Sequence, residues 1–293
     1  MSPRPALRDV AELVRLPAVL TVPGDVLLGA AAAGWPDGRA AALGIGSGSA
    51  LQYLAGMALN DYADRDVDAV ERPHRPVPSG RVTARFALGL AGSLTAAGIT
   101  AASLAGGQPA RRRAFALAGA VWAYDLVLKQ GRAGPVAMAA ARFTDVLIGS
   151  GTRPRAALPA AAVVGAHTLA VTVVSRSEAE GGSARIGEGA LAATGAVSAA
   201  AAAYAAARGR GGGRLLAAGA LLGAYAAVLA GAARTAAREP SAANVQRIVG
   251  TGVLGLLPLQ AAMLVASGGT AAGVAAAGAW PLARRLSRKK AVT

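Results

Sequence analysis

Cysteine is absent from the 293-residue chain, which excludes a disulfide framework, a thiol nucleophile and a cysteine-ligated zinc. Histidine occurs only at His74 and His167, too few for a histidine metal cluster. Charge is sparse: 15% of residues are Asp, Glu, Lys or Arg, against about 25% in soluble domains. Apolar residues make up 54%, and they recur along the whole chain without a polar linker, so residues 1–293 read as a single membrane domain. Acid is the scarcest charge, with 15 Asp and Glu against 30 Lys and Arg. Such an excess of base suits nucleic acid, an anionic membrane surface or a phosphorylated substrate. Asp61, Asp64, Asp66, Asp68 and Glu71 nevertheless fall within eleven residues. A nucleic-acid face would not concentrate carboxylates in this way, so no nucleic-acid partner is expected.

Apolar segments cover approximately 14–34, 41–60, 84–106, 114–128, 134–151, 157–175, 187–207, 215–233 and 248–267. A membrane span takes about 20 such residues, and the expectation is an all-α, polytopic bundle of about nine transmembrane helices around a central cavity. The stretch 270–283 is short for a tenth. Alanine supplies much of the apolar character, and alanine-rich helices also build soluble bundles. Against that reading, Ala41 to Leu59 carries no charge at all, whereas a soluble amphipathic helix keeps a polar stripe. The polar stretch Met1 to Val10, followed by a run long enough to cross the bilayer, predicts a retained first span rather than a cleaved leader. With the N-terminus inside, 15 Lys and Arg lie in inner segments and 9 in outer loops. This bias places the acidic residues on the cytoplasmic side of the cell membrane, although Arg111, Arg112 and Arg113 fall on the other side.

The segment Asn60-Asp61-x-x-Asp64-x-x-x-Asp68 follows directly on the second apolar run. At about 100° per helical residue, Asp64 and Asp68 lie about 60° and 20° from Asp61. Three carboxylates then share one face, and Asp66 points elsewhere. Like charges at this spacing repel unless a divalent cation sits between them, and hard oxygen ligands beside phosphate select Mg2+. The bland alternative is a solvated acidic loop. Beyond it, prolines 73, 76 and 78 interrupt any helix and bring Arg72, Arg75 and Arg81 next to the carboxylates. Arginine's planar fork suits phosphate oxygens.

Asn60 to Asp68, continued by Arg72-Pro73-x-Arg75-Pro76-x-Pro78-Ser79-Gly80, resembles the first aspartate-rich motif of the UbiA-type prenyltransferases. That resemblance implies a bundle of typically nine spans in which Mg2+, held on two acidic motifs, binds a prenyl diphosphate. It implies metal ligation by Asn60, Asp61, Asp64 and Asp68, with Arg72 and Arg75 near the phosphates. Tyr124-x-x-x-x-Lys129 is similar to a family element whose lysine contacts the diphosphate. Lys129 otherwise pairs with Asp125 one turn away, or snorkels to the interface. Glu178-Ala179-Glu180-Gly181-Gly182 falls where the family carries its second acidic motif, with Gly182 in place of a carboxylate. Glu178 and Glu180 are either ligands of a second Mg2+ or loop charges.

The expected activity is transfer of an isoprenoid chain from a prenyl diphosphate to a lipophilic acceptor, with Asp64, Asp68 and Lys129 carrying the catalysis. Membrane lipid surrounds the chain. A membrane carrier that binds the diphosphate without turnover is the alternative. Arg142 and Asp145, one turn apart within an apolar segment, form an internal ion pair or line the acceptor pocket.

Overall fold

The computed structural model describes residues 5–177 and 183–290. Every regular element among them is helical, in the order α1 (Leu7–Leu13), α2 (Pro23–Ala32), α3 (Gly38–Ala63), α4 (Arg65–Glu71), α5 (Ala84–Ala123), α6 (Gly134–Ile148), α7 (Pro154–Ser175), α8 (Ala184–Arg208), α9 (Gly212–Arg238), α10 (Ala242–Ala266) and α11 (Thr270–Lys290). A 3-10 segment, Leu16–Thr21, joins α1 to α2, and a π-helical turn, Tyr124–Leu128, follows α5. Glu178 and Glu180 lie outside the described residues.

The expected apolar segments correspond to α2, α3, two halves of α5, and α6 to α10. Five of the helical stretches are long and apolar enough to cross a membrane. One of these, α5 with its π turn, holds two crossings. Forty residues would extend about 60 Å as a straight helix, twice the roughly 30 Å hydrocarbon core. The chain instead reverses at Gly107, whose φ of 63° and ψ of −153° suit glycine, with Pro109 just beyond. The indole Nε1 of Trp122 donates to Thr95 Oγ1 at 3.1 Å, so the two halves run side by side.

Small residues govern the packing of α3 on α5. A Cβ added at Gly98 would stand 2.6 Å from the carbonyl oxygen of Gly48 and 2.7 Å from Cγ of Gln52. The backbones approach as small-residue contacts in lipid allow. Every residue of α10 from Gly255 to Ala266 is buried, which makes it the central helix. Its Leu259, Met263 and Leu264 pack with Leu28, Val164 and Tyr225 in the largest core cluster. Leu104, Val127, Val136 and Val274 stay exposed on the outside, as lipid-facing residues do. The molecule is an integral membrane bundle.

Alternating connections divide the polar residues between two ends. At the end away from the acidic segment, Arg113 donates to the Gly151 carbonyl at 2.7 Å, and Arg208 donates to the carbonyls of Ala32 and Ala156. These arginines satisfy backbone acceptors where helices stop.

Candidate functional site: a charged rim above a buried cavity

The acidic segment straddles a helix junction. α3 runs to Ala63, Asp64 stands between the helices with φ −89° and ψ 1°, and α4 carries Asp68. The backbone bonds Asp64 N to Asn60 O (2.9 Å) and Asp68 N to Asp64 O (2.7 Å) keep the helical spacing across the junction. Asp61 and Asp68 are therefore both buried facing inward. Asp66 is turned out, with its side chain 83% exposed beside Arg65.

The proline-rich loop returns over this face. Val77 and Val82 bury themselves among Leu13, Leu59 and Ala87, which anchors the loop. Arg75 Nη1 thereby reaches Asp68 Oδ2 at 2.5 Å and Asp61 Oδ1 at 3.7 Å, and Arg72 lies 3.5 Å from Asp68. Lys129 Nζ is 2.6 Å from Asp64 Oδ1. Its ion partner is thus the acidic segment rather than Asp125. The π turn is responsible: Lys129 N bonds Tyr124 O, five residues back, at 2.9 Å, and such turns recur at functional sites.

Two site residues escaped the sequence reading. Arg15 donates to Asp61 Oδ1 at 3.0 Å and to Asn60 Oδ1 at 3.3 Å. It adopts a left-handed conformation, φ 48° and ψ 48°, uncommon for a residue with a side chain. The 45 residues separating it from Asn60 left no local pattern to detect. Its place is fixed by α1, which Arg81 ties to the loop through Asp9 (2.6 Å) and Glu12 (2.9 Å). The hydrogen bonds that Arg81 donates to Glu12 and Asp9 hold its guanidinium above its ordinary pKa, so this clamp stays cationic. Asp125 is the second: it is buried, and its Oδ1 accepts from Asn60 Nδ2 at 3.2 Å. The signal for it was its position inside Tyr124-x-x-x-x-Lys129.

Below the rim lies a cavity of about 210 Å³. It passes from Arg15, Asn60, Tyr124 and Asp125 along Gly56, Met57 and Val121 to Ser49, Gln52, Arg142 and Asp145. Arg142 pairs with Asp25 at 2.6 Å and donates to Thr21 Oγ1 at 3.0 Å. Asp145 instead accepts from Ser49 Oγ. The expected ion pair between Arg142 and Asp145 is not the one formed, because Asp25 takes the guanidinium and Ser49 bonds Asp145; both residues do line the cavity.

Arg15, Arg72, Arg75 and Lys129 pair with Asp61, Asp68 and Asp64, and Arg15, Asn60 and Asp125 join this cluster to the cavity lining. No three acidic or histidine side chains among the described residues converge as a ready metal cage. The rim brings oxygen donors and cationic side chains together, each engaged with the other.

A family model described as the UbiA prenyltransferase family matches residues 18–248. Over 93 residues the chain is 45% identical to the digeranylgeranylglyceryl phosphate synthase of Ignicoccus hospitalis, covering 31% of this chain and 30% of that protein. Over 81 residues it is 41% identical to the bacteriochlorophyll synthase 34 kDa chain of Chloroflexus aurantiacus, covering 27% and 26%. These matches span less than a third of the length of either relative. Among solved structures, a UbiA homolog from Aeropyrum pernix K1 in its apo state superposes with a TM-score of 0.65 at 20% identity, covering 85% of this chain and 97% of that one. A structure described as digeranylgeranylglyceryl phosphate synthase in membranes gives a TM-score of 0.56 at 14% identity, over 89% and 98%. At those identities the two structures establish the fold, and the family model establishes the kinship: the chain belongs to the UbiA prenyltransferase family.

Proposed function

We propose that this protein transfers an isoprenoid chain from a prenyl diphosphate to a lipophilic acceptor and releases pyrophosphate, with Mg2+ held at the rim on the cytoplasmic side of the cell membrane. The observation that carries this reading is the meeting of four cationic side chains with the acidic segment, next to a cavity that Arg15 and Asn60 also line. The donor set fits magnesium by its chemistry, since Asn60, Asp61, Asp64 and Asp68 offer only hard oxygens. Their present partners fit a diphosphate. Arg15, Arg72, Arg75 and Lys129 would exchange carboxylate for phosphate oxygens on binding a diphosphate, which would leave Asn60, Asp61, Asp64 and Asp68 to hold magnesium. Glu178 and Glu180 are the residues available for a second metal.

Bound magnesium supplies charge neutralisation on the diphosphate. The chain's own groups do the rest. Lys129, Arg72 and Arg75 stabilise charge developing on the leaving oxygens. The carbon–oxygen bond breaks with its electron pair leaving on pyrophosphate. An electron-rich atom of the acceptor then supplies the pair for the new bond. Asp125, lining the cavity beside Asn60, is placed to take the proton that the acceptor loses.

Isothermal titration of purified protein in nanodiscs with geranylgeranyl diphosphate tests the metal assignment. Saturable binding with magnesium, lost on chelation, is the expected result. Equal affinity with and without chelator contradicts it.

A further inference from the structure

Gln52 lies on α3 eight residues before Asn60, about 12 Å deeper along the axis at about 1.5 Å per residue. Its side chain lines the cavity and is 2% exposed. Neither its amide nitrogen nor its amide oxygen has a hydrogen-bond partner among the described residues. Unpaired buried amides are rare because each forfeits its hydration. The side chain is also held where it is, for its Cγ abuts Gly98 of α5. Ser49 and Asp145, bonded to each other, line the same end of the cavity.

An isoprenoid tail cannot satisfy this end, since it offers no donor or acceptor. We infer that the deep end of the cavity is an acceptor subsite, built for a neutral hydroxyl or amino group that pairs with the amide of Gln52. This assignment rests on the transfer reading above and adds the class of acceptor to it.

Charge decides against an anionic group. The guanidinium that lines this end among the described residues, Arg142, is already bonded to Asp25 and Thr21. A carboxylate or phosphate brought to Gln52 therefore finds that guanidinium already engaged. Size and length narrow the class further. A cavity of about 150 Å³ holds benzene, so one of about 210 Å³ takes a ring with a short substituent. The reacting atom belongs near Asn60 and Asp125, and the polar group near Gln52. The acceptor is therefore elongated: a single ring, nucleophilic at one end, with a neutral hydroxyl or amine a few bonds beyond the other.

A matched set of probes tests this without turnover. Binding of 4-(2-hydroxyethyl)phenol, 4-propylphenol and 4-hydroxyphenylacetate to the full chain in nanodiscs is measured by titration. The hydroxyethyl compound is expected to bind about ten-fold or more tighter than either of the others, because a site built around a hydroxyl rejects the analogue lacking it. Gln52→Met keeps the volume and removes the amide, and should shrink the difference between the first two to about three-fold or less. Equal affinities in the wild type, or a preference for 4-propylphenol, would show that water alone or an apolar tail occupies the deep end and would overturn the assignment. Should Gln52→Met not fold, a structure of the wild type with a ring-brominated hydroxyethylphenol decides. Bromine must appear between Gln52 and Asn60, and bromine elsewhere or absent overturns the proposal. Geranylgeranyl diphosphate titrated in parallel separates the two claims. If it fails to bind while the phenol ranking holds, the transfer reading falls and with it the name of acceptor, leaving a polar binding subsite at Gln52; the reverse result removes only the subsite.

Discussion

Each carboxylate of the acidic segment has a distinct environment, and its consequence on substitution follows from that. Asp64 is the partner of Lys129, whose ammonium is itself nearly buried. Asp64→Ala removes both a metal ligand in the proposed site and the group that holds Lys129 in place. Transfer should fall by about a hundred-fold or more, the scale on which loss of one charge-stabilising group acts. Asp66 contacts only Arg65 at the surface, and Asp66→Ala should change stability by no more than about 0.5 kcal/mol and leave transfer nearly intact. Initial rates with labelled prenyl diphosphate, alongside thermal unfolding of each variant, check the contrast. Equal losses for the two variants would contradict the inward and outward assignment. Asp68 differs from both, being buried against Arg72 and Arg75, so it holds those two arginines in place.

At the level of helices, the same sequence features were informative or silent according to whether their partners are local. The outward turn of Asp66 could be read from helical angles because the backbone bonds of Asn60, Asp64 and Asp68 preserve that spacing through the junction. The junction itself left no mark in the sequence, since nothing between Asp61 and Asp68 breaks a helix. Gly107 and Pro109 sit between two apolar runs, so the reversal within α5 was legible as two separate segments. Arg113 and Arg208 weakened the charge bias between loops because they serve backbone carbonyls across the bundle, a tertiary role that no loop count reveals. Close contact between α3 and α5 gives a test at this scale. Gly98→Ala forces a methyl group against the Gly48 carbonyl, and overpacking of this kind costs about 1–3 kcal/mol. The unfolding midpoint of the variant in detergent should drop accordingly. An unchanged midpoint would mean that the helices stand further apart than described.

For the molecule as a whole, the fold was legible because membrane spans advertise themselves by length and absence of charge. Much of the rim was legible because most of its acidic and basic residues, between Asn60 and Arg75, fall in one continuous stretch. What stayed hidden lies far apart in sequence: Arg15, brought to Asn60 by the Arg81 clamp on α1, and the deep network in which Asp25 from α2 meets Arg142 from α6 and Gln260 from α10. These contacts exist only once the bundle has closed around α10. The central claim, that the rim ionises a prenyl diphosphate, is met most directly by measuring pyrophosphate release against magnesium, with a lipid extract of the host supplying the acceptor. The wild type should release pyrophosphate only when magnesium and extract are both present, and Glu178→Gln should require more magnesium to do so. Saturable diphosphate binding with no pyrophosphate released at any magnesium concentration would contradict the account and leave a carrier in its place.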